Sequence, residues 1–219
     1  MNIKLKFQYK GMKTKALLLE SEWFEDREIK PLVTDMVKTG RIKDIYVMDE
    51  MGREWTLKEF NKLMEKMEEE PRNPIVYFDG GYDRETENAG IGIVIYYEKG
   101  QETYRLRNNA KLLELQSSSE AEYAALYNAV KLLQQLEVHH MPCVFKGDAQ
   151  GVIKQLEGEW PCYEKALNRW LDRIEDLIKS LGLKPTFKII SRNENKEAHK
   201  LASQALQDNM IDSHLKIEK

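Results

Sequence analysis

Two short apolar runs each stop at an aspartate, and this constrains the fold more than any other feature of the chain. Ile75-Val76-Tyr77-Phe78 runs into Asp79, and Val144-Phe145-Lys146-Gly147 runs into Asp148. Aspartate is depleted in strands. Each acid has a local explanation: Asp79 as a turn residue, Asp148 as a helix N-cap. A joint explanation also fits. Open α/β sheets bind ligands beyond the carboxyl ends of their strands, at a switch point in strand order, and two acids from separate strands meet there.

The pattern around these runs is that of an α/β domain. Strands are predicted over residues 75–78, 90–97 and 103–106, with Lys99-Gly100 as the turn between the last two. They form an antiparallel meander. A helix is expected over 119–136, a strand over 144–146 and a short helix over 149–156. An amphipathic helix over 163–181 carries Leu167, Trp170, Leu171, Ile174, Leu177, Ile178 and Leu181 at helical spacing. A strand over 187–190 and a helix over 194–207 complete the order βββαβααβα. That order implies a mixed five-stranded sheet with flanking helices.

EKMEEEPRNP, residues 65–74, has linker composition: an acidic helix end, two prolines and an asparagine. It divides the chain into a small domain over 1–70, a linker over 71–74 and a larger domain over 75–219. The small domain reads as α+β with the order ββαβα. Ile3, Leu5, Phe7 and Tyr9 alternate with Lys4, Lys6, Gln8 and Lys10, the period of a half-buried strand. Gly11 turns the chain, and residues 13–19 return. A helix over 26–37 stops at Gly40, a third strand covers 44–48, and Thr56 with Glu59 resembles a capping box. The first fifteen residues hold five lysines and no acid. A face of Lys4, Lys6 and Lys10 suits phosphate contacts and equally suits a solvated edge that blocks strand pairing.

In the helix over 119–136, Tyr123, Leu126, Ala129, Val130 and Leu133 form the apolar stripe, and Glu122 lies on or beside it. An unpaired buried carboxylate is costly, and a divalent cation removes that cost. Oxygen ligands from separate elements suit Mg²⁺, which also binds substrate phosphate. Composition alone does not choose Glu122 over Glu120.

The stretches YFDGG, SSSEAEYAALYNAV, FKGDAQGVI and NENKEAHKLA fall in the order and spacing of type 1 ribonuclease H. The resemblance covers about residues 74–208. It implies an RNase H-like fold and an endonuclease that cleaves the RNA strand of RNA–DNA hybrids with two Mg²⁺ or Mn²⁺ ions. Asp79, Glu122 and Asp148 match the family's three core metal carboxylates. Gly80 and Gly81 are expected to let the backbone approach the substrate ribose. Ser118 and Ser119 stand where the family has asparagines near the minor groove, and Asn195 is a further expected substrate contact. The family's fourth carboxylate, in its last helix, is replaced here by His199. Imidazole is a poorer ligand for Mg²⁺ than for Mn²⁺ or Zn²⁺, so the resemblance implies weaker binding of the second ion. A packed helix residue is the competing account of His199. The same substitution also fits a catalytically weak or inactive nucleic-acid-binding protein on this scaffold.

The net charge of −3 makes the chain no polycation, so nucleic-acid affinity has to come from a local patch. No apolar run reaches the length of a membrane span, and MNIKLKFQYK lacks a signal-peptide core. Cys143 and Cys162 form no metal-ligand pattern and no disulfide framework. A cytoplasmic location is the expectation.

Overall fold

The computed structural model describes residues 1–13 and 15–217. They form two compact units, Met1–Met67 and Glu68–Lys219. Thr14, inside the expected returning strand, lies outside the described residues, as do Glu218 and Lys219.

In the first unit β1 (Asn2–Tyr9) runs antiparallel to β2 (Leu17–Glu20), β3 (Phe24–Glu25) and β4 (Ile42–Asp49). β5 (Glu54–Thr56) pairs antiparallel with β4. Alternation along β1 turns Ile3 and Leu5 inward, where they meet Val47, Ile29 of α1 (Ile29–Lys38) and Phe60 of α2 (Leu57–Glu69). The capping box is formed. Glu59 Oε2 accepts from Thr56 N at 2.9 Å, and Thr56 Oγ1 accepts from Glu59 N at 3.3 Å. The longer elements keep the ββαβα order. β3 and β5 hold two and three residues, too few to show a period. The open face is not a bare cationic surface: Lys4 pairs with Glu20 and Lys6 with Glu54, each at 3.0 Å, while Lys10 is exposed.

The second unit contains a six-stranded sheet in the order β10-β9-β6-β7-β8-β11. Its strands are β6 (Arg72–Asp83), β7 (Asn88–Lys99), β8 (Glu102–Leu112), β9 (Pro142–Gly147), β10 (Lys184–Ile189) and β11 (Asp212–Ile217). Pairing is antiparallel from β6 through β11 and parallel between β6, β9 and β10. The helices are α3 (Ser118–Gln135), α4 (Gln150–Leu156), α5 (Lys165–Ser180) and α6 (Lys196–Leu206). Val76, Phe78, Ile93 and Phe145 pack with α3 and α5 residues in one core. Tyr77, Val94 and Tyr96 pack with Ala198 and Leu201 of α6 in a second. α3 and α6 therefore cover opposite faces, as the period of two along β6 requires.

The structure corrects several expectations. The sheet has six strands, not five, because β11 adds to the free edge of β8. Residues 72–74, expected as linker, already belong to β6. Asp79 does not end its strand; β6 continues to Asp83, paired with β7. What ends near Asp79 is the pairing with β9, which stops at Tyr77 and Lys146. The sheet splits there, and Asp79 and Asp148 flank the split.

α6 lies unusually close to the sheet. Gly90 and Gly92 present their missing side chains to the helix backbone: a Cβ at Gly90 would strike the Ala202 carbonyl, and one at Gly92 the Ala198 carbonyl. Asn109 of β8 holds the end of this helix. Its Nδ2 donates to the Leu201 and Asn209 carbonyls, each at 2.9 Å, and its Oδ1 accepts from Ile211 N at 2.6 Å. These bonds place the start of β11.

Candidate active site

Strand alternation decides where each group goes. Asp79 shares the α6 face with Tyr77, and the residue is 4% exposed. Gly80 turns to the other face, and a Cβ there would overlap the backbone of Ala121 and Glu122. The absence of that atom lets the first turns of α3 rest on β6. Gly80 N then donates to Glu122 Oε2 at 3.1 Å, which brings Glu122 over the strand beside Asp79. Gly81 faces α6, with Leu206 Cδ1 3.4 Å from its ideal Cβ. Gly80 therefore has a packing reason to be small, and its N–H is already engaged, whereas a methyl at Gly81 would make only an ordinary contact.

Glu120, the competing acid, has other work. Its Oε1 accepts from Trp170 Nε1 at 2.9 Å and its Oε2 from Gln116 N at 2.8 Å, so it ties α3 to α5 and to its own approach loop. Ser117 caps α3 by accepting from Glu120 N at 3.1 Å. Ser118 and Ser119 follow in the first turn, exposed, with Ser118 lining a shallow hollow alongside Tyr82 and Arg84.

Asp148 follows β9, and Asn195 Nδ2 donates to its Oδ1 at 2.6 Å. The same amide donates to the Phe78 carbonyl at 2.9 Å, across the split in the sheet. Asn195 is 1% exposed, and its Oδ1 is buried with no hydrogen-bond partner among the described residues. Expected as a substrate contact, Asn195 is instead a buried strut between β6, Asp148 and α6. His199 Nδ1 lies 3.1 Å from Asp79 Oδ2, and Arg192 donates to His199 Nε2 at 2.9 Å. Arginine only donates, so this network assigns the neutral ring's proton to Nδ1, which donates to Asp79. Nothing in the sequence pointed to Arg192; it lies in the irregular segment just before NENKEAHKLA and is not part of that stretch.

Two of these three carboxylates are costly to ionise. Burial, then the charges of Asp79 and Asp148, push the Glu122 carboxyl up to about 9. Burial also raises Asp79, and the bond from His199 partly offsets that rise. Among the described residues, no three acidic, histidine or cysteine side chains close around a single point; each carboxylate is turned onto a protein donor. The donor chemistry nevertheless fits a hard cation. The three acids come from separate elements, and a positive charge would offset the cost that burial and neighbouring charge place on Asp79 and Glu122.

A stability prediction follows from Glu122. Its folded pKa, near 9, lies above its unfolded value of 4.5. The folded state therefore keeps a proton that the unfolded state releases, and stability falls as pH rises from about 4.5 towards 9. In chelator, Glu122→Gln is expected to be more stable than the native protein by up to about 3 kcal/mol at pH 7. The gain should vanish towards pH 4.5. Urea unfolding at pH 5, 7 and 9 checks it.

Residues 77–205 match the family model described as reverse transcriptase-like, more than half of the chain. The chain belongs to the reverse transcriptase-like family. The uncharacterized protein YpeP of Bacillus subtilis (strain 168) is 40% identical over 215 residues, 98% of this chain and 94% of that protein. Among solved structures, RNase H1 of Halobacterium salinarum NRC-1 is 26% identical with a TM-score of 0.54, covering 62% of this chain and 98% of its own. LC11-RNase H1, isolated from compost by a metagenomic approach, is 28% identical with a TM-score of 0.55, covering 63% and 97%. It has also been solved in complex with an RNA/DNA hybrid. This reverse transcriptase-like chain thus has the RNase H-like fold of type 1, a fold that supports a nuclease-type hydrolase and nucleic-acid binding. No helix among the described residues is long and apolar enough to cross a membrane.

Proposed function

We propose that the second unit is an endoribonuclease that hydrolyses the RNA strand of RNA–DNA hybrids. The observation that carries this reading is the joint placement of Asp79, Glu122 and Asp148. Strand pairing, the side-chain-free position at Gly80 and the Asn195 strut bring three acids from β6, α3 and the loop after β9 close enough for the charges of Asp79 and Asp148 to act on Glu122. Two Mg²⁺ or Mn²⁺ ions held there would supply a water activated at neutral pH and stabilisation of the leaving oxygen. Asp79, Glu122 and Asp148 are the groups that would hold them. His199 holds Asp79 in place through Nδ1, and Arg192 fixes the ring from its other side. Ser118 and Ser119, at the exposed start of α3, offer hydroxyls and free helix N–H groups to a phosphate backbone. Labelled hybrid, double-stranded RNA and double-stranded DNA, each incubated with Mg²⁺ and with Mn²⁺, test the reading; cleavage confined to the RNA of the hybrid supports it.

His199 suggests which ion works better. It replaces an acid by a neutral ring and stands beside the positive Arg192, so the site holds less negative charge for a second cation. Cleavage is expected to be about tenfold faster in Mn²⁺ than in Mg²⁺, and His199→Asp should narrow that ratio. Equal rates in the two saturating metals, unchanged in His199→Asp, would sink the idea.

The open site also has a competing reading. Both His199 nitrogens are committed to protein partners, which favours a binding protein without catalysis. Hybrid binding with no cleavage in either metal would select it.

A further inference from the structure

Beyond the carboxylates, on the far side of α6, lies a groove of about 490 Å³ between α6, β8 and the approach to β11. Arg105, Arg107, Lys196 and Lys200 line it. Their placement follows from the two periods. Residues 105 and 107 share one face of β8, about 7 Å apart along the strand. Residues 196 and 200 share one face of α6, one turn apart, about 6 Å. The facing pairs set two short rows of cations along the groove, with Leu201 and Ile211 as apolar lining between them.

Little in the protein neutralises these charges. Glu197 pairs with Arg105 through Oε1 at 3.3 Å, while its Oε2 accepts from Tyr96 Oη at 3.0 Å. Arg107 Nε donates to the neutral Ser213 Oγ at 3.1 Å. Among the described residues Glu197 is the one acid in an ion pair with this set, and Arg105 Nε is buried with no partner. The unit as a whole runs the other way. It holds 20 Lys and Arg against 25 Asp and Glu, a balance of −5. A four-cation groove on a net-negative unit is a local device for an anion.

We propose that this groove binds the phosphodiester backbone of a single strand of nucleic acid extending from the duplex held at the carboxylates. The inference rests on the nuclease reading for where the duplex lies, and adds a second contact that selects substrates with an overhang. Two rows of cations suit a repeating anion better than one small ion, and an apolar lining with arginine planes suits bases as well as phosphates. Lys196 lines both this groove and the smaller hollow at Asn195, Tyr77 and Tyr96, so the positive track begins beside the active site.

Full-length protein in chelator, where no cleavage occurs, should bind a hybrid carrying an extension of about ten deoxythymidines about tenfold more tightly than the blunt hybrid. Its salt dependence should be steeper by the release expected for two or more single-strand phosphates. Lys196→Gln combined with Lys200→Gln, on the exposed side of α6, should abolish that advantage and leave blunt-hybrid affinity within about twofold. Arg107→Gln, whose amide keeps a donor for Ser213, should act the same way from the strand side. An extension that gives the native protein no advantage, or one the variants retain, overturns the proposal. So does polyglutamate that competes as well as free oligodeoxythymidine of equal charge, which would assign the groove to an acidic polypeptide. The nuclease reading fails separately: absence of cleavage with metal present leaves the extension effect in chelator to be read on its own.

Discussion

Asp79→Asn is expected to reduce hybrid cleavage by at least about 10³-fold, about 4 kcal/mol of transition-state stabilisation. Folding should survive. The amide keeps an oxygen to accept from His199 Nδ1, and a buried charge that burial already disfavours is removed. Hybrid affinity in chelator should change less than about threefold, because surface phosphate contacts supply most of it. The comparison therefore needs three measurements on one preparation: cleavage in Mg²⁺ and Mn²⁺, binding in chelator, and a thermal melt. Cleavage that persists in Asp79→Asn would place the chemistry elsewhere or in a contaminant.

Gly92→Ala is expected to destabilise the second unit by about 3 kcal/mol or more. The new methyl would meet the Ala198 carbonyl, with Ala202 N 2.6 Å and Leu201 Cβ 2.8 Å away. Two of these atoms are backbone and cannot turn aside, so α6 has to lift from β7. Because α6 carries His199 and follows Asn195, the shift should also lower cleavage in whatever fraction still folds. Gly151→Ala is the control. It lies in α4 with nothing within 4 Å of the added atom, and alanine is the better helix former there by about 1 kcal/mol. Urea denaturation followed by circular dichroism separates the two, with loss in the first and none, or a small gain, in the second.

Much of the fold was legible because its signals are local. Alternation in β1, the capping box at Thr56 and Glu59, the stripe of α5 and the turn at Gly100 depend on neighbours a few residues away. β11 was not legible. Asp212–Ile217 is a polar edge strand, four of whose six residues are exposed, and its partner β8 lies about a hundred residues earlier. β8 itself runs to Leu112 rather than stopping at Leu106. Its second half, Arg107-Asn108-Asn109-Ala110-Lys111, has little strand propensity and is held by pairing with β7 throughout and with β11 at Arg107 and Asn108.

The sequence by itself determined that acids stand beside apolar strands and that four motifs follow one another in RNase H order. Those are properties of residue type and spacing, which a linear reading contains. Only the tertiary structure decided which atoms face which. Period two in β6 sends Asp79 to α6 and Gly80 to α3. That division makes His199 the partner of Asp79, brings Glu122 rather than Glu120 over the strand, and turns Asn195 from an expected substrate contact into a buried strut. It also sets Arg105 and Arg107 opposite Lys196 and Lys200, residues some ninety positions apart that no local pattern connects.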